Sequence, residues 1–183
     1  MNLERVAEVA GVSKVTIYNH FQSKNALLVE VVRAEPLRAH GDTERFLASN
    51  FGSANNARDA LERLGDAWVK GLTSPRLTQL RSIVVGQVQR VPELGEAGMD
   101  FGPRRLHKNI GDALQELQVR FGLSIPDIDI AVLQLAGLVV SPHVMYGVFH
   151  GEPDKAMTKR LIKSGVELFL ARYGQSSKRR SLD

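Results

Sequence analysis

The chain has 183 residues, 43% of them apolar and 24% charged, and no cysteine. This composition suits a soluble globular protein of one or two small domains and excludes disulfides and thiolate metal sites. A net charge of +4 and a pI near 9.6 lean mildly towards a polyanionic partner. In chain order, the spacing predicts a first helix over Leu3 to Ala10, with Asn2 as N-cap, Glu4 in the first turn and Leu3, Val6, Ala7 and Ala10 on one face. Gly11 permits a backbone turn that a Cβ would resist, Val12 plugs the corner, and Ser13 caps a second helix over Lys14 to Phe21. Ile17 and Phe21 face inward one turn apart, which leaves Lys14, Thr16, Asn19 and His20 to face outward.

Two short helices joined by a tight glycine turn have the spacing of a helix-turn-helix, whose second helix enters the major groove of DNA. Lys14 and Lys24 suit phosphate neutralisation, and Ser13, Thr16 and Tyr18 suit hydrogen bonds to phosphate. Asn19 and His20 suit base edges, and the Thr16 methyl suits a thymine methyl. The run AGVSKVTIYNHFQSKNALL, from Ala10 to Leu28, closely resembles the recognition segment of the TetR (tetracycline-repressor) family of bacterial transcription regulators. That resemblance implies that Ser13 caps the recognition helix, that Lys14, Thr16, Tyr18 and His20 meet DNA, and that Lys24 opens the next helix and holds a phosphate. Asn19 departs from the aromatic residue that many relatives carry there. The resemblance also implies a further helix ahead of Leu3, whereas the residues given before it are Met1 and Asn2. A chain of these residues alone is therefore expected to bind DNA poorly, because Val6, Val9, Ile17 and Phe21 lose part of their cover.

Ser23 caps a predicted linker helix from Asn25 to Ala34 with Leu27, Leu28, Val31 and Val32 inward, and Pro36 and Gly41 end or kink it before Leu47. A loop over 49–56 leads to an amphipathic helix from Ala57 to Leu72 carrying Leu61, Leu64 and Trp68. Ser74-Pro75 opens a helix that stops before Pro92. The glycine-rich stretch from Pro92 to Pro103 predicts a helix break or a mobile loop, and Arg104 to Phe121 a further helix. Pro126-Asp127 opens a helix running to about Phe149, apolar nearly all round from Ile128 to Val140. Gln134, Ser141, Pro142 and His143 interrupt it, which argues against a membrane span. The last helix runs from about Asp154 to Tyr173 with Met157, Leu161, Val166, Phe169 and Tyr173 as its inner stripe, before a polar, basic tail over 175–183.

The expected organisation is all-α. A helix-turn-helix DNA-binding part with its linker helix occupies 1–48, a helical ligand-binding and dimerisation domain 49–174, and a disordered basic tail 175–183. No phosphate loop, nucleophile elbow or paired carboxylates point to catalysis, so no catalytic residue, metal or cofactor is expected. His143 and His150, two turns apart, have no carboxylate one turn away to complete a metal site. Trp68, Arg81, Gln87, Arg90, Phe101, His107 and Met145 are candidates for lining an effector pocket, with the Pro92 to Pro103 stretch as its entrance. The apolar excess of the last two helices predicts a homodimer through Ile128, Leu135, Leu161 and Phe169, suited to a palindromic duplex site. No signal peptide opens the chain, which places it in the cytoplasm. The expected function is a repressor that leaves its operator when a small molecule binds. The rival is a dimeric helical module that has lost DNA binding.

Overall fold

The computed structural model describes residues 2–34, 53–101, 103–147, 149 and 151–174. Pro36, Gly41, His150 and the basic tail, each singled out above, lie outside them. Every regular element among the described residues is a helix: α1 Leu3–Ala10, α2 Lys14–Phe21, α3 over 24–34, α4 Ala57–Leu72, α5 Pro75–Gln87, α6 Glu93–Phe101, α7 Pro103–Phe121, α8 Ile128–Val139, α9 Ser141–Gly147 and α10 Lys155–Tyr173.

Helix starts follow their caps. The side chains of Asn2, Ser13, Asn56, Asp127 and Asp154 each accept a hydrogen bond from a backbone N–H two or three residues on. The main core joins α4, α7, α8 and α10 through Leu61, Leu64, Ile110, Leu114, Val139 and Phe169 among others. Glycines let its helices meet closely. A Cβ on Gly65 would stand 3.0 Å from Ile162 Cγ2, and one on Gly165 would stand 3.1 Å from both Leu138 Cβ and Val139 Cγ2.

Two smaller cores lie beyond it. One is Leu3, Ala7, Ile17 and Leu27, flanked by Val6 and Phe21. The other is Val29, Val32, Leu80, Val91, Leu94 and Ala97, which ties α3 to α5 and α6. Helix α3 therefore carries one side chain, Leu27, into the first of these and two into the second. That twofold demand places Val29 inside and leaves Val31, expected inward, on the surface.

Three further expectations are corrected. Within the stretch from Pro92 to Pro103, expected to be a helix break or a mobile loop, lies a helix, α6, which buries Leu94 and Ala97. Gly95 serves packing there, since a Cβ on it would lie 3.1 Å from Val88 Cγ2. The single helix expected to reach Phe149 is broken by 55° between α8 and α9. Pro142 accounts for this, having no N–H to donate and a ring that clashes with the carbonyl one turn back. In α10 the inner stripe is Ile162, Gly165, Val166, Phe169 and Tyr173, while Met157 lies on the surface. The close approach at Gly165 fixes that face. Among the described residues no single helix is long and apolar enough to cross a membrane.

Candidate nucleic-acid interface

Gly11 ends α1 in the left-handed region at φ 66°, and its N–H reaches back to Glu8 O. Val12 N–H donates to Ala7 O at 3.0 Å, which closes the turn so that Ser13 begins α2. Ser13 Oγ accepts from Thr16 N–H at 3.0 Å and pairs with Thr16 Oγ1 at 2.8 Å. The cap thus occupies the Thr16 hydroxyl, and the half-buried side chain offers mainly its methyl. Ile17 is buried against Leu3, Ala7 and Leu27. That anchor fixes which way α2 faces.

With about 100° per residue, the side of α2 opposite Ile17 and Phe21 centres on Asn19, with Val15 beside it and Tyr18 and Thr16 on the flanks. Lys14, Val15, Tyr18, Asn19, His20 and Lys24 are all exposed. Val15, 67% exposed, is a candidate reading residue that the sequence analysis missed. The signal was its place one turn before Asn19. A β-branched side chain held out on this face suits a thymine methyl. Lys14 is not a free cation: its Nζ donates to Glu4 Oε1 at 3.0 Å. The carboxylate holds the Lys14 ammonium above its usual range.

The residues expected to line an effector pocket do not line either groove of the described residues. Trp68 is buried in the main core. Arg81 is half-buried and donates to Leu72 O at 3.3 Å, and burial lowers its pKa. His107 Nε2 lies 2.9 Å from Asp129 Oδ1, bridging α7 to α8 near the surface. Gln87 is half-buried where α5 ends, Arg90 and Met145 are exposed, and the side chain of Phe101 lies outside the described set. A groove of about 690 Å³ opens instead beside Gln115, Gln118, Gly122 and Ser124 at the end of α7. Two buried polar atoms have no hydrogen-bond partner among the described residues, Trp68 Nε1 and His143 Nδ1.

His143 was considered above as half of a metal pair and as an interruption of an apolar helix. It is 3% exposed, and its Nε2 lies 2.9 Å from Thr158 Oγ1. Burial pushes the imidazole below its ordinary 6.5, with the Val139 carbonyl pulling the other way. A depressed folded-state pKa means that below pH 6.5 the unfolded chain takes up a proton that the folded chain refuses. Stability is therefore expected to fall on acidification through that window, down to the folded-state pKa. Urea midpoints at about pH 7.5 and about pH 5.5 check this. His143→Gln should show a smaller drop than the parent.

Of the four residues expected at a dimer contact, Leu135 and Phe169 lie inside the chain's own core at 2% exposure each. The inner faces of α8 and α10 claim them, because Gly165 brings the helices together there. Ile128 and Leu161 are half-buried. The outward apolar face is made by Ile130, Leu133 and Leu168, beside a groove of about 310 Å³ lined by Gln134, Gly137, Leu138 and Arg172.

The profile described as "Bacterial regulatory proteins, tetR family" matches residues 1–31, and that of the "AefR-like transcriptional repressor, C-terminal domain" matches residues 59–175. A TetR-family transcriptional regulator structure from Mesorhizobium loti MAFF303099 is 28% identical with a TM-score of 0.87, covering 96% of this chain and 87% of that one. The TetR regulator from Agrobacterium tumefaciens is 23% identical with a TM-score of 0.74, covering 96% and 84%. The flavonoid-responsive regulator FrrA is 22% identical with a TM-score of 0.73, covering 94% and 86%. No curated protein matches the chain. With both family profiles in register and the helix-turn-helix built as its residues require, the chain belongs to the TetR family of bacterial transcriptional regulators.

Proposed function

We propose that the chain is a repressor that binds a palindromic operator as a homodimer and is released by a small-molecule effector. The observation that carries the reading is the outward face of α2, where Val15, Tyr18 and Asn19 stand exposed on a helix that Ser13 and Ile17 fix in place. Val15, Asn19 and His20 suit base reading. Lys24 and Tyr18 suit backbone contacts, which set position and not sequence. Lys24→Ala is expected to weaken binding to all duplexes alike and to reduce the salt dependence by about one ion. Fluorescence anisotropy across a salt series measures both. A change of base preference in that variant would mean that α2 docks differently.

The exposed face of Ile130, Leu133 and Leu168 supports pairing with a second copy, since a two-fold axis would cover it with itself. Effector release is supported by the orphaned Trp68 indole N–H, a group that a polar small molecule entering the body would meet. The middle core supports a route outward, because α5 and α6 grip α3 and α3 in turn holds Leu27 under α2. A ligand can use that route only by binding the non-operator arrangement more tightly, and about 1–3 kcal/mol of coupling is typical. Trp68 is the chain's one tryptophan, so its emission reports on its own surroundings. Compounds that shift that emission should also lower operator affinity. Compounds that shift the emission but leave operator affinity intact would sink the release mechanism.

A further inference from the structure

We propose that Glu4 and Lys14 act as one unit that reads a cytosine–guanine pair, Lys14 donating to guanine and Glu4 accepting from cytosine. This rests on the operator-binding reading above. Glu4 stands in the first turn of α1 and Lys14 opens α2, and their charged ends meet at 3.0 Å, well exposed on both sides. The N-terminal end of a recognition helix is the end that approaches base edges. Glu4 is therefore carried to the groove by its contact with Lys14.

A carboxylate there opposes binding to phosphates, which lie well within the screening length of about 8 Å at physiological salt. It also opposes any base edge that presents only acceptors. The exception is an exocyclic amino group, and cytosine N4 is the one that a carboxylate suits. In a guanine–cytosine pair, O6 and N4 are hydrogen-bonded to each other, so an acceptor and a donor sit side by side in the major groove. The Lys14–Glu4 pair presents the complementary order, donor beside acceptor, also one hydrogen bond apart. The ammonium then covers guanine O6 and N7 while the carboxylate covers cytosine N4. An adenine–thymine pair fits less well, because its amino group lies between two acceptors, adenine N7 and thymine O4, and both repel a carboxylate.

The test is selection from a randomised duplex library by the full chain, by E4Q and by E4A, with sequencing of the bound fraction. The parent is expected to favour cytosine at one position of each half-site by about tenfold or more. E4Q should move that preference to adenine, because an amide pairs with adenine N6 and N7 together. E4A should lose the preference there, keep the rest of the motif and bind unselected duplex more tightly. A purely structural role of Glu4 at the start of α1 would change thermal melting and leave base preference alone. If all three proteins enrich the same base at every position, the proposal is overturned. If the parent enriches no sequence, the operator-binding reading fails, and this proposal fails with it.

Discussion

Leu133→Asp is expected to give a folded monomer, and Leu135→Asp, two residues further along α8, no folded body. The two leucines differ in what covers them. Leu133 is 60% exposed on the single chain, so an aspartate there stays hydrated until a second copy covers it. In a two-fold contact each substitution enters twice, so the dimer meets both carboxylates at once. Leu135 is 2% exposed within the main core. Removing its side chain alone costs about 2–5 kcal/mol, and burying an unpaired carboxylate adds several more. The sum reaches the whole stability of a typical domain, about 5–15 kcal/mol. Light scattering separates monomer from dimer, and circular dichroism reports the fold. A dimeric Leu133→Asp protein would place the contact between copies on another face.

Gly165→Leu is expected to cost roughly 3 kcal/mol or more, at the upper end of what overpacking does to a core. In an open helical site, replacing glycine by alanine gains about 1 kcal/mol. Gly86 in α5 is such a site, with nothing within 4 Å of an added Cβ. At Gly165 the added Cβ meets Leu138 Cβ and Val139 Cγ2 at 3.1 Å and the Leu138 carbonyl oxygen at 3.3 Å. Leu138 Cβ and its carbonyl cannot rotate away, so α8 and α10 must separate. That separation loosens Val139, Val166 and Phe169, all buried between them. Urea denaturation should therefore show Gly86→Ala stabilised, Gly165→Ala neutral or destabilised, and Gly165→Leu severely destabilised. Equal behaviour of the two alanine variants would remove the argument from close approach.

Local chemistry was the most legible part of the sequence. Asn2, Gly11, Ser13 and Asp127 do what their side chains or their lack of one dictate, and each can be read from its immediate neighbours. The Ile17 and Phe21 spacing likewise gave the orientation of α2. What depended on distant partners was harder to read. The glycines of α6 looked like a loop because their reason, Val84 of α5 and Val88 just past its end, lies across a helix contact. Leu135 and Leu133 are equally apolar, and the packing of α8 against α7 and α10 decides which one faces inward. Val15 was not among the expected DNA-contacting residues, and its exposure on α2 is what marks it. The Glu4–Lys14 pair joins residues from two helices and becomes visible only once the Gly11 turn is built.

The first of the small cores has a consequence for time as well as for structure. Among the described residues four buried side chains, flanked by Val6 and Phe21, hold α1 and α2, and one of them, Leu27, is on loan from α3. Such a unit opens at a lower free energy than the many-membered core behind it, so its backbone amides should trade their hydrogens for deuterium first. Association with duplex then requires the closed form, and the apparent affinity scales with the fraction of time spent closed. Occupancy of the operator would be recorded in the amides of Val6, Ala7 and Ile17 as a slowing of exchange, a clock set by how often the reading head comes apart.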